Sequence, residues 1–326
     1  MKVGSIFSGI GGIDLAFLQA GFEIAWAIDK DADCCKTYRH NFHGSNLIES
    51  DIRKVDPTLL EFIDVLVAGF PCQSFSVAGQ QRGFKDDRGA LFYEVVRFAN
   101  ALKPRFIFLE NVPNLMEHDN GRTFLVIHDT LSDIGYTLKY KVMRASEYGG
   151  VPQIRDRIYI VAFRDIEDCD CFSFPEKIEL SRGIDNVLAT SEKKHDIYYY
   201  NFSDPFYTIA SRIVRQQGVI YRVYHDSIKP TQNHMCPTLT ASMGTQPNQV
   251  PLIKDEYGIR KLTIRECLDF QGFPKSYKFP KTISLNAAYK QVGNTVCVPV
   301  VERIAQFIKR IYALTPLHSI DLTNKN

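Results

Sequence analysis

Short apolar runs alternate with stretches of helical periodicity through the first half of the chain, and this alternation limits the possible folds more than any other feature. KVGSIF, EIAWAID, VLVAGF and RFIFLEN are strand-like, while IDLAFLQAGF and ALFYEVVRFANAL carry helical spacing. The pattern is the βαβ rhythm of a mostly parallel sheet covered by helices. TLKYKVMRA and RIYIVAFR straddle a Gly-Gly-Val-Pro turn and read as a hairpin closing that sheet, so the α/β unit spans about residues 1 to 165. From Glu176 to Tyr257 the rhythm is lost among polar, Tyr-, Gln- and Pro-containing segments, which predicts a second, smaller domain of mixed strands. Regular pattern returns at LTIRECLDF, and a final helix is predicted from Val298 to Tyr312, apolar at Val300, Ile304, Phe307, Ile308 and Ile311.

A chain of 326 residues that is 45% hydrophobic can bury a core of this size. No apolar stretch approaches the ~20 residues of a membrane span. The N-terminal MKVGSIFSGIGG lacks the pattern of a signal peptide, so the expected location is the cytoplasm. Eight cysteines without a C-x-x-C pair are expected as free thiols, and no His/Cys spacing suggests a metal. A net charge of +2 does not announce a nucleic-acid binder, so phosphate affinity has to come from local clustering. Pro205 to Leu262 supplies it, with seven Lys/Arg, Arg212 and Arg215 among them, against three acids. Amides at Gln216, Gln217, Gln232, Asn233, Gln246, Asn248 and Gln249 can pair with base edges, although any one of them reads equally as ordinary polar surface.

Phe7-Ser8-Gly9-Ile10-Gly11-Gly12 follows the first strand and opens into a helix near Ile13, with Asp29 at the end of the second strand. Glycines there let a backbone approach a ligand, and an acid at that distance can accept from ribose hydroxyls. Plain packing is the competing reading of such a turn. The G-x-G-G spacing departs from G-x-G-x-x-G and gives no reason to expect a pyrophosphate, so a nucleoside without phosphates fits better than a nicotinamide cofactor.

The strand from Asp64 to Phe70 runs into Pro71-Cys72-Gln73, placing a thiol at a carboxyl strand end, where open α/β sheets bind ligands. A lone cysteine is more often a small buried hydrophobe. Ser74 to Gly89, polar and with Gly79, Gly83 and Gly89, reads as a loop able to close over a substrate. Glu110-Asn111-Val112 ends another apolar strand and can bring a carboxyl near the thiol; a helix cap or a surface carboxylate is the alternative.

In order and spacing these residues resemble the bacterial DNA (cytosine-5) methyltransferases, over essentially the whole chain apart from the middle domain. Phe7-x-Gly9-x-Gly11-Gly12, Pro71-Cys72-Gln73 and Glu110-Asn111-Val112 are similar to the family's first motif, nucleophile motif and third-partner motif. Gln153-x-Arg155-x-Arg157, Arg265-Glu266-Cys267 with Gln271-Gly272-Phe273-Pro274, and Gly293-Asn294-Thr295-Val296 resemble its later ones. Singly, the Arg pair reads as a solvated strand face and Gly-Asn as a turn.

The resemblance implies an S-adenosylmethionine-dependent methyltransferase fold, Rossmann-like, with a smaller target-recognition domain. It implies Cys72 as the nucleophile on cytosine C6, Glu110 at N3 and Arg157 at O2, with Arg155 in the catalytic set. For S-adenosylmethionine and its product S-adenosylhomocysteine it implies Phe7, Gly9, Gly11, Gly12, Asp29, Lys30, Asp51, Ile52, Pro71, Leu91, Asn294, Thr295 and Val296. Lys30 stands where relatives are often aromatic, and a cation-π or aliphatic-stem contact would replace stacking. For double-stranded DNA it implies Gln73, Ser76, Arg88, Gln153, Arg212, Arg215, Thr238 and Leu239, the last two as the Thr-Leu pair of recognition domains.

The expected division is a catalytic domain at 1–176, a recognition domain at 177–262, a hinge at 263–284 and a C-terminal segment at 285–326 returning to the catalytic domain. A monomer is expected, with any cognate restriction endonuclease a separate protein. A tRNA cytosine methyltransferase and a catalytically silent DNA-binding relative are the alternatives.

Overall fold

The computed structural model describes residues 1–70, 90–224 and 227–314. Seven strands form the main sheet: β1 (Lys2–Ile6), β2 (Glu23–Asp29), β3 (Leu47–Glu49), β4 (Val65–Ala68), β5 (Phe106–Asn111), β6 (Thr137–Arg144) and β7 (Asp156–Phe163). Their spatial order is β3-β2-β1-β4-β5-β7-β6. The first five are parallel, and β7 runs antiparallel to both β5 and β6. Every residue of β4 and β5 is buried, which is why these strands read as unbroken apolar runs and not as alternating ones. Helices α1 (Gly12–Gln19), α2 (Ala32–Asn41), α3 (Ala90–Leu102) and α4 (Arg122–Asp133) cover the sheet, and short α5 (Ala145–Tyr148) and α6 (Ile166–Cys171) follow β6 and β7.

Strand order reverses between β1 and β4, since β2 and β3 lie on one side of β1 and β4 and β5 on the other. The crevice at the carboxyl ends of these two central strands is where such sheets bind ligands. The glycine turn after β1 and Gly69-Phe70 after β4 both start there.

The smaller unit contains α7 (Pro205–Ile213), β8 (Tyr221–Tyr224), β9 (Ser227–Pro230), α8 (Ser242–Thr245), β10 (Leu252–Lys254) and β11 (Ile259–Lys261). Its strands form an antiparallel sheet in the order β11-β10-β8-β9. Tyr200, Val214, Tyr221, Val223, Leu252 and Ile259 make a local apolar cluster, but Leu239, Met243, Val250 and Ile253 belong to the main core with Phe270, Tyr289 and Val292. Fully buried Arg260 on β11 grips Asp255 at 2.7 Å and Glu266 at 2.7 Å, tying the small sheet to α9 (Ile264–Phe270). That helix starts on a capping box between Thr263 and Glu266.

Helix α10 (Leu285–Asn294) leads into α11 (Val298–Leu314), which returns to the large domain. Val300, Ile304, Ile308 and Ile311 are buried in it, at roughly 1.5–3 kcal/mol each. Lys309 Nζ donates to the carbonyls of Ala20 and Gly21 at 3.0 and 3.1 Å, beyond the end of α1. Among the described residues no helix is long and apolar enough to cross a membrane, and no cluster of His, Cys, Asp or Glu could hold a metal ion.

Candidate active site and cofactor cleft

Phe7, Gly9 and Gly11 all take positive φ (55°, 55° and 79°), so the chain leaving β1 curls tightly before α1 begins. Asp29 at the end of β2 braces this curl: its Oδ2 accepts from Gly9 N at 2.7 Å and its Oδ1 from Asp31 N at 2.8 Å. Burial pushes the Asp29 carboxyl upward, against the pull of these amide hydrogen bonds. The two faces of the turn differ. Among the described residues a Cβ on Gly9 would meet nothing within 4 Å, whereas one on Gly11 would strike the Phe42 ring at 2.4 Å and Tyr38 at 2.9 Å. One on Gly12 would strike Thr295 Oγ1 at 2.2 Å and come within 3.2 Å of Val296. The last motif therefore sits against the first, despite lying near the other end of the chain.

Ile52 is buried in an apolar cluster against which Phe7 and Leu91, two further expected adenosyl contacts, also pack. Asp51 is held well below the usual carboxylate range, at about 2, chiefly by the side chain of Arg53, which grips it at 2.6 and 3.0 Å. Lys30 and Asn294 are exposed. An open backbone face, a braced carboxylate and apolar contacts suit a nucleoside without phosphates, and the adenosyl part of S-adenosylmethionine fits them.

The second half of the cleft lies at the carboxyl ends of β4 and β5. Asn111 Nδ2 donates to the Phe70 carbonyl at 2.9 Å, fixing the chain where it leaves β4. Glu110 pairs in register with Tyr159 on β7, so Arg157, two residues earlier on the same face of that strand, is its diagonal neighbour. Arg157 Nε approaches Glu110 Oε1 at 3.1 Å, and its Nη1 donates to the Asp156 carbonyl at 2.7 Å. Glu110 Oε2 lies 3.8 Å from where a Gly69 side chain would begin. Burial drives the Glu110 carboxyl upward, with Arg157 and then Arg155 opposing it. Pro71, Cys72, Gln73, Ser76 and Arg88 lie outside the described residues.

Arg155 is not on a solvated strand face. β7 begins only at Asp156, so the irregular backbone before it turns Arg155 inward, where it is 2% exposed. Its guanidinium donates to the carbonyls of Leu239 (2.7 Å), Gly293 (3.4 Å) and Thr295. Burial lowers its pKa to about 9, which leaves it a cation at neutral pH. Gln153 and Leu239, expected at the DNA surface, are fully buried instead. Gln153 Nε2 donates to the Phe270 carbonyl at 2.6 Å and its Oε1 accepts from Leu239 N at 3.3 Å, so both residues serve the joint between the recognition segment and α9. Thr238 Oγ1 donates to the Ile154 carbonyl at 2.5 Å in the same joint. Arg212 and Arg215 are exposed at the end of α7. Gly293, packed with no room for a Cβ against the backbone of Thr240 and Ala241, completes the joint; the sequence reads Gly-Asn as a turn, but both residues lie in the last turn of α10.

The family profile of C-5 cytosine-specific DNA methylases matches residues 1–310. The chain is 45% identical over 311 residues to the type II methyltransferase M.Bsp6I of Bacillus sp. (strain RFL6), covering 94% of this chain and 98% of that one. It is 35% identical to the type II methyltransferase M.HhaI of Haemophilus parahaemolyticus, covering 92% and 91%. The S. pombe Dnmt2 methyltransferase structure superposes with a TM-score of 0.72 at 21% identity, covering 95% of this chain and 98% of that one. The Entamoeba histolytica methyltransferase EhMeth superposes with 0.73 at 17%, covering 97% and 99%, and these two likenesses show the shared fold. With the glycine turn, the Glu110–Arg157 pair and a profile match over nearly the whole chain, this protein belongs to the C-5 cytosine-specific DNA methylase family and is a DNA (cytosine-5) methyltransferase.

Proposed function

We propose that the protein is a type II, site-specific methyltransferase that takes a cytosine out of duplex DNA and modifies its C5 with Cys72 as nucleophile. The Glu110–Arg157 pair beside Gly69, three residues before Cys72, carries this reading. A target carbon inside stacked duplex is unreachable, so the base must leave the helix, and methyltransferases are among the base flippers. S-adenosylmethionine, when bound, supplies an electrophilic sulfonium methyl. The Cys72 thiolate adds to cytosine C6, pushing charge onto the ring and making C5 nucleophilic. Glu110, with its carboxyl driven upward by burial, is suited to hold a proton at N3, where that charge gathers. Arg157, anchored on Glu110 and the Asp156 carbonyl, faces the ring's O2 as a fixed positive charge. Arg155, held on the Leu239, Gly293 and Thr295 carbonyls, positions the joint behind the cleft and does not touch the base.

Phe7, Ile52 and Leu91 hold the adenosyl group, Asp29 its ribose hydroxyls and Asp51 its adenine amino group, which requires Arg53 to release one carboxylate oxygen. Gly9, Gly11, Gly12, Pro71, Asn294, Thr295 and Val296 complete that pocket, and Lys30 covers adenine with its stem. Arg212 and Arg215, with Gln73, Ser76, Arg88 and Thr238, contact DNA. The enzyme acts as a cytoplasmic monomer and protects DNA from a separate endonuclease, the arrangement the name type II methyltransferase suggests for its relatives. Labelled methyl transfer to unmethylated duplex DNA and to tRNA, with Cys72→Ser as control, tests the reading. Label at cytosine C5 of DNA alone, absent with the variant, is expected; label in tRNA, or label surviving the substitution, refutes it.

A further inference from the structure

The cofactor turn is held from beneath by a residue that none of the assignments above includes. Tyr277, 4% exposed, follows the Gln271-Gly272-Phe273-Pro274 motif, and its hydroxyl donates to the carbonyl of Ile10 at 2.5 Å. Burial pushes the phenol far above its ordinary value, so it is always a donor. Its backbone is fixed too: Tyr277 N donates to the Pro274 carbonyl at 3.0 Å, and Arg265 Nη1 donates to the Tyr277 carbonyl at 2.9 Å. The ring packs edge-on against Phe273 at 4.6 Å and Phe42 at 6.5 Å. Phe42 and Tyr38, stacked at 4.3 Å, fill the space under Gly11, and Tyr38 is itself anchored by its hydroxyl on Asp14 at 2.6 Å.

Packing beneath Gly11 does not by itself fix the direction of the peptide that precedes it. Gly11 sits at φ 79°, and glycine crosses between positive and negative φ at little cost, so the Ile10–Gly11 peptide is held by its polar contacts, its N–H on the Ser8 carbonyl at 2.8 Å and the donor at its oxygen. A rotated peptide would break the hydrogen bond from Gly11 N to the Ser8 carbonyl, 2.8 Å long, and recast the turn that presents the Gly9 face. Among the described residues, the one restraint aimed at that peptide's oxygen is the Tyr277 hydroxyl.

We propose that Tyr277 is a positioning residue for the cofactor: its hydroxyl pins the Ile10 carbonyl and keeps the glycine turn in the conformation that receives the adenosyl group. The proposal rests on assigning this turn to the cofactor. When a binding-competent conformation falls to a fraction of the molecules, the apparent dissociation constant rises by the inverse of that fraction. Losing the hydroxyl is expected to raise the Kd for S-adenosylhomocysteine about ten-fold, equivalent to about 1.4 kcal/mol. A buried carbonyl left without its donor is worth about that much.

Tyr277→Phe keeps the ring packing and removes only the donor. Calorimetric titration with S-adenosylhomocysteine should show the ten-fold weakening. The KM for S-adenosylmethionine should rise in parallel, with kcat at saturating cofactor and DNA affinity unchanged. 4-Aminophenylalanine at 277, which restores an N–H donor, should recover the binding. Tyr38→Phe, an equivalent hydroxyl deletion beneath the same turn that spares the Ile10 carbonyl, should bind normally. An unchanged Kd for Tyr277→Phe, equal weakening by Tyr38→Phe, or no recovery with the amine overturns the role of Tyr277. If the unsubstituted protein does not bind S-adenosylhomocysteine, the cofactor assignment falls and this proposal with it.

Discussion

Replacing Gly12 by alanine tests the meeting of the two chain ends. Gly12 opens α1 without positive φ, so helix propensity alone would make alanine the more stable residue by about 0.5–1 kcal/mol. The structure predicts the opposite sign. The new methyl would sit 2.2 Å from Thr295 Oγ1, 3.2 Å from Val296 Cγ2 and 3.4 Å from Phe273 Cζ. Thr295 cannot retreat, because its carbonyl is held by Arg155, and the preceding Gly293 already abuts the backbone of Thr240. Overpacking of this kind costs roughly 1–3 kcal/mol, a fall in Tm on the order of 2–10 °C. Urea denaturation and calorimetry would measure it in the single variants Gly12→Ala and Thr295→Ala and in the double variant. Removing Oγ1 opens the space, so the double variant should regain about 1–2 kcal/mol relative to additivity. A neutral or stabilising Gly12→Ala, or strict additivity, would show that the contact drawn between the first and last motifs is wrong.

Two other predictions concern charge. Burial raises the Asp14 carboxyl from 3.8 to about 6. A carboxyl with a raised folded-state pKa contributes stability that is present below about pH 4 and lost as pH climbs through 6, here about 3 kcal/mol. Asp14→Asn, which keeps an acceptor for Tyr38, should therefore gain on the native protein between pH 4 and 7 and then level off; a stability difference that is flat across urea titrations at these pH values sinks the assignment. Arg212→Ala and Arg215→Ala should each reduce the slope of log K for DNA against log salt by about 0.9, and slopes equal to the native one would remove these residues from the phosphate contacts.

What the sequence disclosed follows from how much burial each segment carries. β4 and β5 are covered on both faces, so VLVA and FIFLEN stand out as apolar runs, and the hairpin of β6 and β7 is marked by its Gly-Gly-Val-Pro turn. The strands of the small sheet run only three or four residues, too short for any periodicity, and their order depends on contacts from far along the chain. Gln153 and Leu239 show a different limit. An amide can satisfy a base edge or a buried backbone group with the same atoms, and the sequence does not say which surrounds it. Arg155 and Arg157, two residues apart, would share a face in a continuous strand, yet one is interior and the other lines the cleft, because the strand starts between the two.

That difference also explains why the cleft of the main sheet and the small-sheet unit cannot be assigned separate stretches of chain. A buried guanidinium is tolerable only when acceptors take most of its donors, since an unpaired buried charge costs several kcal/mol; in Arg155 both terminal nitrogens are engaged, and Nε alone has no partner among the described residues. Arg155 takes its acceptors from Leu239 in the recognition segment and from Gly293 and Thr295 in the last motif. Gln153 bridges the same Leu239 to Phe270 at the end of α9, and Gln271 next to it donates to the Val292 carbonyl in α10 at 3.1 Å. The recognition segment is thus fastened to the backbone that closes over Gly12, by side chains whose sequence neighbours belong to the catalytic cleft. A substitution at this joint moves both sites at once, whereas one at Glu110 or Arg157, anchored on β5 and β7 alone, leaves the joint intact.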